Sequence, residues 1–112
     1  MTFKAFDVVV VPFPFTDRTT TKRRPALVLS DASRFNKQVG QSVLAMITSA
    51  SNSDWPLDIN IRDLDAAGLP SASVVRMKLF TLDDKLVIRK AGVLAKQDKS
   101  AVSSVLQQLF GM

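Results

Sequence analysis

Histidine, cysteine and glutamate are all missing from this chain. Any chemistry it performs must therefore be assembled from Arg, Lys, Asp, Ser and Thr. Losing histidine removes the commonest general base and the commonest metal ligand together. Without cysteine, neither a thiolate metal site nor a disulfide can form. Metal catalysis by carboxylates needs several Asp to converge, and Asp63 and Asp65 in one loop are a weak basis for it. Ser30, Ser71 and Ser73 have no imidazole to activate them and read as turn and strand-end hydroxyls. Four scattered glycines form no phosphate-cradling loop.

One arrangement suits so restricted an alphabet. Arg24 stands at the start of a predicted second strand and Thr48 at the end of a predicted third, and neighbouring strand ends can converge at one rim of a small barrel. A fixed guanidinium offers a planar fork to phosphate oxygens, and a threonine hydroxyl can bond a further oxygen of the same group. Together they could stabilise a pentacoordinate phosphorane, each well-placed donor contributing roughly two to three orders of magnitude. If the substrate were RNA, its own 2′-hydroxyl would supply the nucleophile. The same residues also suit a plain structural role, since an Arg beside Pro can salt-bridge a surface Asp and Thr is a good strand former.

The elements that must position these groups centre on Val8 to Ser30. Val8 to Val11 is a β-branched run, which reads as a strand, Asp7 to Phe13, buried on both faces. Pro12 and Pro14 lack N–H donors and limit it. Thr16 to Thr21 is loop chemistry, and Pro25 pushes Arg24 extended at the mouth of the strand Ala26 to Leu29. Asp31 to Gly40 reads as a loop with one helical turn, and Ser42 to Thr48 as a third buried strand. Trp55 to Ile61 alternates as a half-buried fourth strand. Asp63 to Gly68 can make one helical turn closed by glycine. Ser73 to Leu82 is a fifth strand with Arg76 and Lys78 on one face. Leu86 to Leu94 is a sixth, with a bulge possible at Gly92. Asp98 is placed to cap a terminal helix whose stripe is Val102, Val105, Leu106, Leu109 and Phe110, ended by Gly111. Five or six short strands and one helix predict a mainly β chain, a small, strongly twisted antiparallel barrel or half-barrel with the helix outside it.

Composition agrees. The 112 residues suit one domain, residues 1–112, that buries roughly two-thirds of its unfolded surface. At 46% hydrophobic the chain is globular rather than disordered. No apolar run approaches a membrane span, and no signal-peptide core opens the sequence, so a cytoplasmic location is expected. The net charge of +5 is unevenly spread. Residues 1–50 and 71–112 each carry seven cations against three Asp, while residues 51–70 carry Arg62 against four Asp. A basic groove with a separate acidic face, or an ordinary solvated surface, would both give that pattern.

Two longer runs carry a resemblance. Pro12-Phe13-Pro14-Phe15-Thr16-Asp17 followed by Lys22-Arg23-Arg24-Pro25-Ala26-Leu27-Val28-Leu29-Ser30 resembles the PemK/MazF family of type II toxin endoribonucleases. Met46-Ile47-Thr48-Ser49 is similar to the family's third-strand motif. Ala67-Gly68-Leu69-Pro70, Ser73-Val74-Val75-Arg76 and Thr81-Leu82-Asp83 are similar to its later block. The similarity runs in order over roughly residues 7–94.

The resemblance implies an SH3-like antiparallel barrel of the toxin type with a C-terminal helix. It also implies a homodimer, a cognate antitoxin protein that lies across the active surface, and cleavage of single-stranded RNA without metal or other cofactor. Carried over position by position, it makes Arg24, Thr48 and Arg76 catalytic. The family's loop histidine and strand carboxylate have no counterpart here: Lys78 stands where some members place Asp, and a Phe6-Asp7 pair replaces the usual Gly-Asp. Arginine does not readily give up a proton, which leaves the base open: Asp17 in the first loop is a candidate, and pairing with Lys22 or Arg23 suits it equally. Thr16, Arg18, Lys22, Arg23 and Lys78 are expected to hold flanking phosphates. Phe13 or Phe15 could stack an unpaired base, although burial in the core suits either. Two rival functions remain open: a gyrase-poisoning toxin of the same fold, or a non-catalytic barrel that binds RNA or peptide.

Overall fold

The computed structural model describes residues 1–13, 22–52 and 54–112. Strands β1 (Asp7–Phe13), β2 (Lys22–Val28), β3 (Gln41–Ser49), β4 (Ile59–Asn60), β5 (Ser73–Asp83) and β6 (Arg89–Val93) form one antiparallel sheet. Its order is β4-β5-β3-β2-β1-β6. The edge strands β4 and β6 are not paired with each other, so the sheet curls into a half-barrel rather than closing. Among the described residues, three α-helices complete it: α1 (Lys37–Val39), entered through a π-helical turn over Ala32–Asn36, α2 (Leu64–Ala67) and α3 (Lys96–Phe110). Among the described residues, no helix is long and apolar enough to cross a membrane.

The central strands are buried on both faces, as the β-branched run of β1 predicts. Successive side chains point to opposite faces of a strand, and the core divides accordingly. Val8, Leu27, Ala45, Ile47, Val75 and Met77 belong to the cluster on the first face, closed by Val102 of α3. Val9, Val11, Ala26, Val28, Leu44 and Leu82 form the cluster on the second face, covered by Phe3. Odd positions of β1 and even positions of β2, β3 and β5 thus share the second face. That parity places the site described below.

Several elements differ from the sequence expectation, each for a physical reason. β2 starts at Lys22 rather than Ala26 because Lys22 and Arg23 continue the ladder opposite Phe13 and Pro12. The fourth strand shrinks to Ile59–Asn60 because Trp55 to Asp58 folds into a turn, with Asp58 N–H donating to the Trp55 carbonyl at 3.2 Å. The sixth begins at Arg89 because Asp84–Leu86 is taken up by a 3₁₀ turn.

Asp98 does not cap α3, whose N-cap is Ala95. Its buried carboxylate instead accepts from the backbone N–H groups of Arg62 and Asp63, at 3.0–3.2 Å, and ties that loop to the helix. Of the predicted stripe, Val102, Val105 and Leu106 pack on the sheet, whereas Leu109 and Phe110 lie exposed at the end of α3. The bulge near Gly92 is present: the β1–β6 register shifts there, leaving Ala91 extra. A Cβ on Gly92 would lie 2.3 Å from the Ala66 carbonyl oxygen, so only glycine lets α2 sit this close to β6. Phe6, which takes the place of the expected glycine, has φ 73°, a left-handed conformation that is strained for any side chain.

Candidate active site

Strand pairing brings Arg24 and Thr48 together. Ala26 of β2 lies opposite Met46 of β3, and carrying that register two residues further sets Arg24 against Thr48. Both positions are even, so both side chains fall on the second face, beyond its apolar cluster. There they line a cavity of about 330 Å³ together with Phe13, Met46, Arg76, Lys78 and Phe80. The floor is apolar and the rim cationic, and among the described residues no carboxylate lines it. Desolvating walls of this kind strengthen the pull of fixed cations on an anion.

The geometry on β5 comes from an irregularity the sequence did not reveal. Leu79 pairs with Ala45, but Met46 pairs with Arg76, so the register slips by two residues and Met77 and Lys78 are extra. A slip of two preserves the alternation. Arg76 and Lys78 therefore stay on the second face, as their spacing predicts, while the strand bends around the cavity.

Arg24 is half-buried, and its guanidinium carbon sits 5.5 Å from the Phe13 ring centroid. Its Nε is buried and has no hydrogen-bond partner among the described residues. A buried unpaired donor is costly, and it belongs to a side chain that lines this cationic cavity. The Thr48 hydroxyl accepts from the Asn52 side-chain amide, which leaves its own proton to donate.

Arg76 is held differently. Its Nε and one terminal nitrogen fork onto Asp58 at 3.2 and 2.9 Å. That hydrogen bonding, ahead of the opposing effect of burial, pushes its pKa further up and keeps it a permanent cation. Asp58 and Trp55 come from the same turn. Pro56 occupies its second position and Leu57, at φ 67°, its third, a place that favours glycine. Holding a leucine there costs on the order of 1–2 kcal/mol. Trp55 lies beneath two cations, with Lys78 Nζ 4.5 Å and the Arg76 guanidinium 5.9 Å from its ring centroid.

Of the sequence candidates, Arg24, Thr48, Arg76 and Lys78 converge on this cavity. Lys22 and Arg23 are exposed and line an adjoining cavity of about 270 Å³ that shares Arg24 and Thr48. Thr16, Asp17, Arg18 and Phe15 lie outside the described residues. Phe13 is not a core residue: it is 38% exposed, on the cavity wall at the end of β1. Nor is the acidic block wholly separate from the basic surface, because Asp58 is wired into it through Arg76. Sequence reasoning missed Trp55, Asp58 and Phe80. The lone tryptophan followed by proline was an available signal for Trp55, whereas nothing local marks Asp58 as the partner of Arg76.

Comparison with known proteins agrees with this architecture. Residues 4–110 match the family model of the PemK-like, MazF-like toxins of type II toxin–antitoxin systems. The fold is similar to that of MazF in a MazE–MazF complex from Deinococcus radiodurans, at 24% identity and TM-score 0.78, over 100% of this chain and 99% of that one. It is similar also to an endoribonuclease from a mycobacterial species in complex with its cognate antitoxin, at 14% identity and TM-score 0.76, over 99% and 95%. A third likeness is to the Mycobacterium tuberculosis toxin MazF-mt6, at 18% identity and TM-score 0.74, over 95% and 97%. No curated protein matches the sequence. With the family model covering nearly its whole length, the chain belongs to the PemK/MazF-like toxins of type II toxin–antitoxin systems.

Proposed function

We propose that this toxin is an endoribonuclease that cleaves single-stranded mRNA without metal, by attack of the internal 2′-hydroxyl on the adjacent phosphate. The observation that carries this reading is the pairing of Arg24, with its unpartnered buried Nε, and Thr48 across one cationic cavity. The similar mycobacterial structures are those of endoribonucleases.

In the reaction the 2′-oxygen bonds to phosphorus while the bond to the 5′-oxygen breaks. The products are a 2′,3′-cyclic phosphate and a free 5′-hydroxyl. Arg24 donates to the non-bridging oxygens as they gain charge, and Thr48 donates to a second oxygen of the same group. Arg76, held in place by Asp58, adds a fixed positive charge at the far wall. Lys78, Lys22 and Arg23, with Thr16 and Arg18 of the first loop, hold neighbouring phosphates. Asp17 accepts the 2′-hydroxyl proton, and water or a lysine returns one to the leaving oxygen.

On this reading the protein acts in the cytoplasm as a homodimer, and a cognate antitoxin covers this cavity; a similar endoribonuclease held in complex with its cognate antitoxin supports a partner of that kind. Incubating the folded protein with mixed-sequence RNA in the presence of chelator tests the reading. Fragments ending in cyclic phosphate are expected. Intact RNA under all conditions, with supercoiling of DNA by gyrase blocked instead, would overturn it in favour of a gyrase poison.

A further inference from the structure

Trp55 is the sole tryptophan of the chain and 40% of its surface is exposed. The turn that presents it carries Leu57 in a left-handed conformation. It is anchored at the other end by the Asp58 fork to Arg76, a residue of the cavity wall. Strain of this kind persists only where surrounding contacts over-determine it, and it concentrates at functional positions. The ring is therefore fixed against the wall formed by Arg76 and Lys78, the two cations that lie over it.

We propose that Trp55 is a stacking platform for an unpaired nucleobase of the substrate, next to the scissile phosphate. The inference rests on the ribonuclease reading and adds to it a base-contacting residue. A phosphate held by Lys78 in single-stranded RNA has a base within reach of the same turn. Lys78 is exposed and on a flexible stem, so its ammonium can leave the ring for that phosphate while the base takes its place. The exchange is favourable because stacking on an aromatic ring outweighs an exposed cation–π contact. Arg76 cannot make the same move, being locked to Asp58. Aromatic stacking tolerates any base, so Trp55 contributes affinity and register rather than strict sequence choice.

The single tryptophan makes its own reporter. A pool of single-stranded RNA oligonucleotides, 2′-O-methylated throughout to remove the nucleophile, should quench its emission saturably. Inorganic polyphosphate, which carries charge and no bases, can draw Lys78 off the ring but should not reproduce the quenching. Trp55→Ala should weaken binding of the pool roughly 5- to 150-fold, the range expected for one stacked base. Trp55→Phe should retain most of the affinity. Binding of the pool with unaltered emission, or wild-type affinity in Trp55→Ala, overturns the stacking site. Cleavage of unmodified RNA, measured in parallel, judges the nuclease reading separately: cutting with a silent tryptophan rejects only the stacking site.

Discussion

Replacing Arg24 by methionine should leave the protein at least as stable and nearly inactive at once. Methionine keeps the length of the stem but removes the buried Nε that has no partner. Leaving such a donor unsatisfied costs about 1–3 kcal/mol. Because Arg24 is only half-buried, the lower part of that range applies. The variant also forfeits the contact between the guanidinium and the Phe13 ring, about 0.5–1 kcal/mol at a partly exposed site. The balance runs from near zero to a gain of about 1 kcal/mol, or a rise of up to roughly 8 °C in melting temperature for a domain of this size. Over the same substitution, RNA cleavage should fall by roughly two to three orders of magnitude or more, since a principal donor to the phosphorane is gone. Thermal unfolding followed by circular dichroism gives the first quantity and initial cleavage rates give the second. A variant that melts several degrees lower, or cuts within tenfold of wild type, would refute the account of Arg24 as a half-buried side chain with an unpartnered donor, reserved for substrate.

Thr48→Val removes one hydroxyl at nearly constant volume and should lower the cleavage rate about 10²-fold with little change in KM, whereas Thr48→Ser should recover most of it; single-turnover kinetics distinguishes them. Gly92→Ala would drive a Cβ to within 2.3 Å of the Ala66 carbonyl oxygen, and should destabilise the fold by about 1–3 kcal/mol or more in urea titration. Asp31 accepts from the Arg34 backbone N–H at 2.8 Å and from the Ser33 hydroxyl at 3.0 Å, which holds its pKa below the ordinary 3.8. A lowered carboxylate pKa contributes stability above the unfolded-state value and loses it as pH falls through the folded one. The gap in melting temperature between wild type and Asp31→Ala should therefore be constant near neutrality and close below about pH 4; a gap that widens in acid would contradict the assignment.

Local composition was enough to specify much of this molecule. The run Val8 to Val11 can only be accommodated in a strand buried on both sides, and that burial recurs in the two apolar clusters. The period-two placement of Arg76 and Lys78 told that they share a face, because alternation survives any slip by an even number of residues. The absence of histidine, cysteine and glutamate restricted the chemistry before any coordinate was known. Turn glycines behaved similarly: Gly68 closes α2 and Gly111 closes α3 with left-handed backbones, as their positions indicated.

Long-range contacts were settled only in three dimensions. Asp58 meets Arg76 across eighteen residues of sequence, and Asp98 ties down the amides of Arg62 and Asp63 from thirty-six and thirty-five residues away. Nothing in a local window encodes such pairings, so Asp98 looked like a helix cap and Asp58 like the wet face of a strand. The two-residue slip on β5 is of the same kind, a compromise between the ladder with β3 and the curl of the sheet. Residue types and their alternation say which face a side chain will take; only the packed sheet says what stands across from it, because that depends on strand order and register between distant segments.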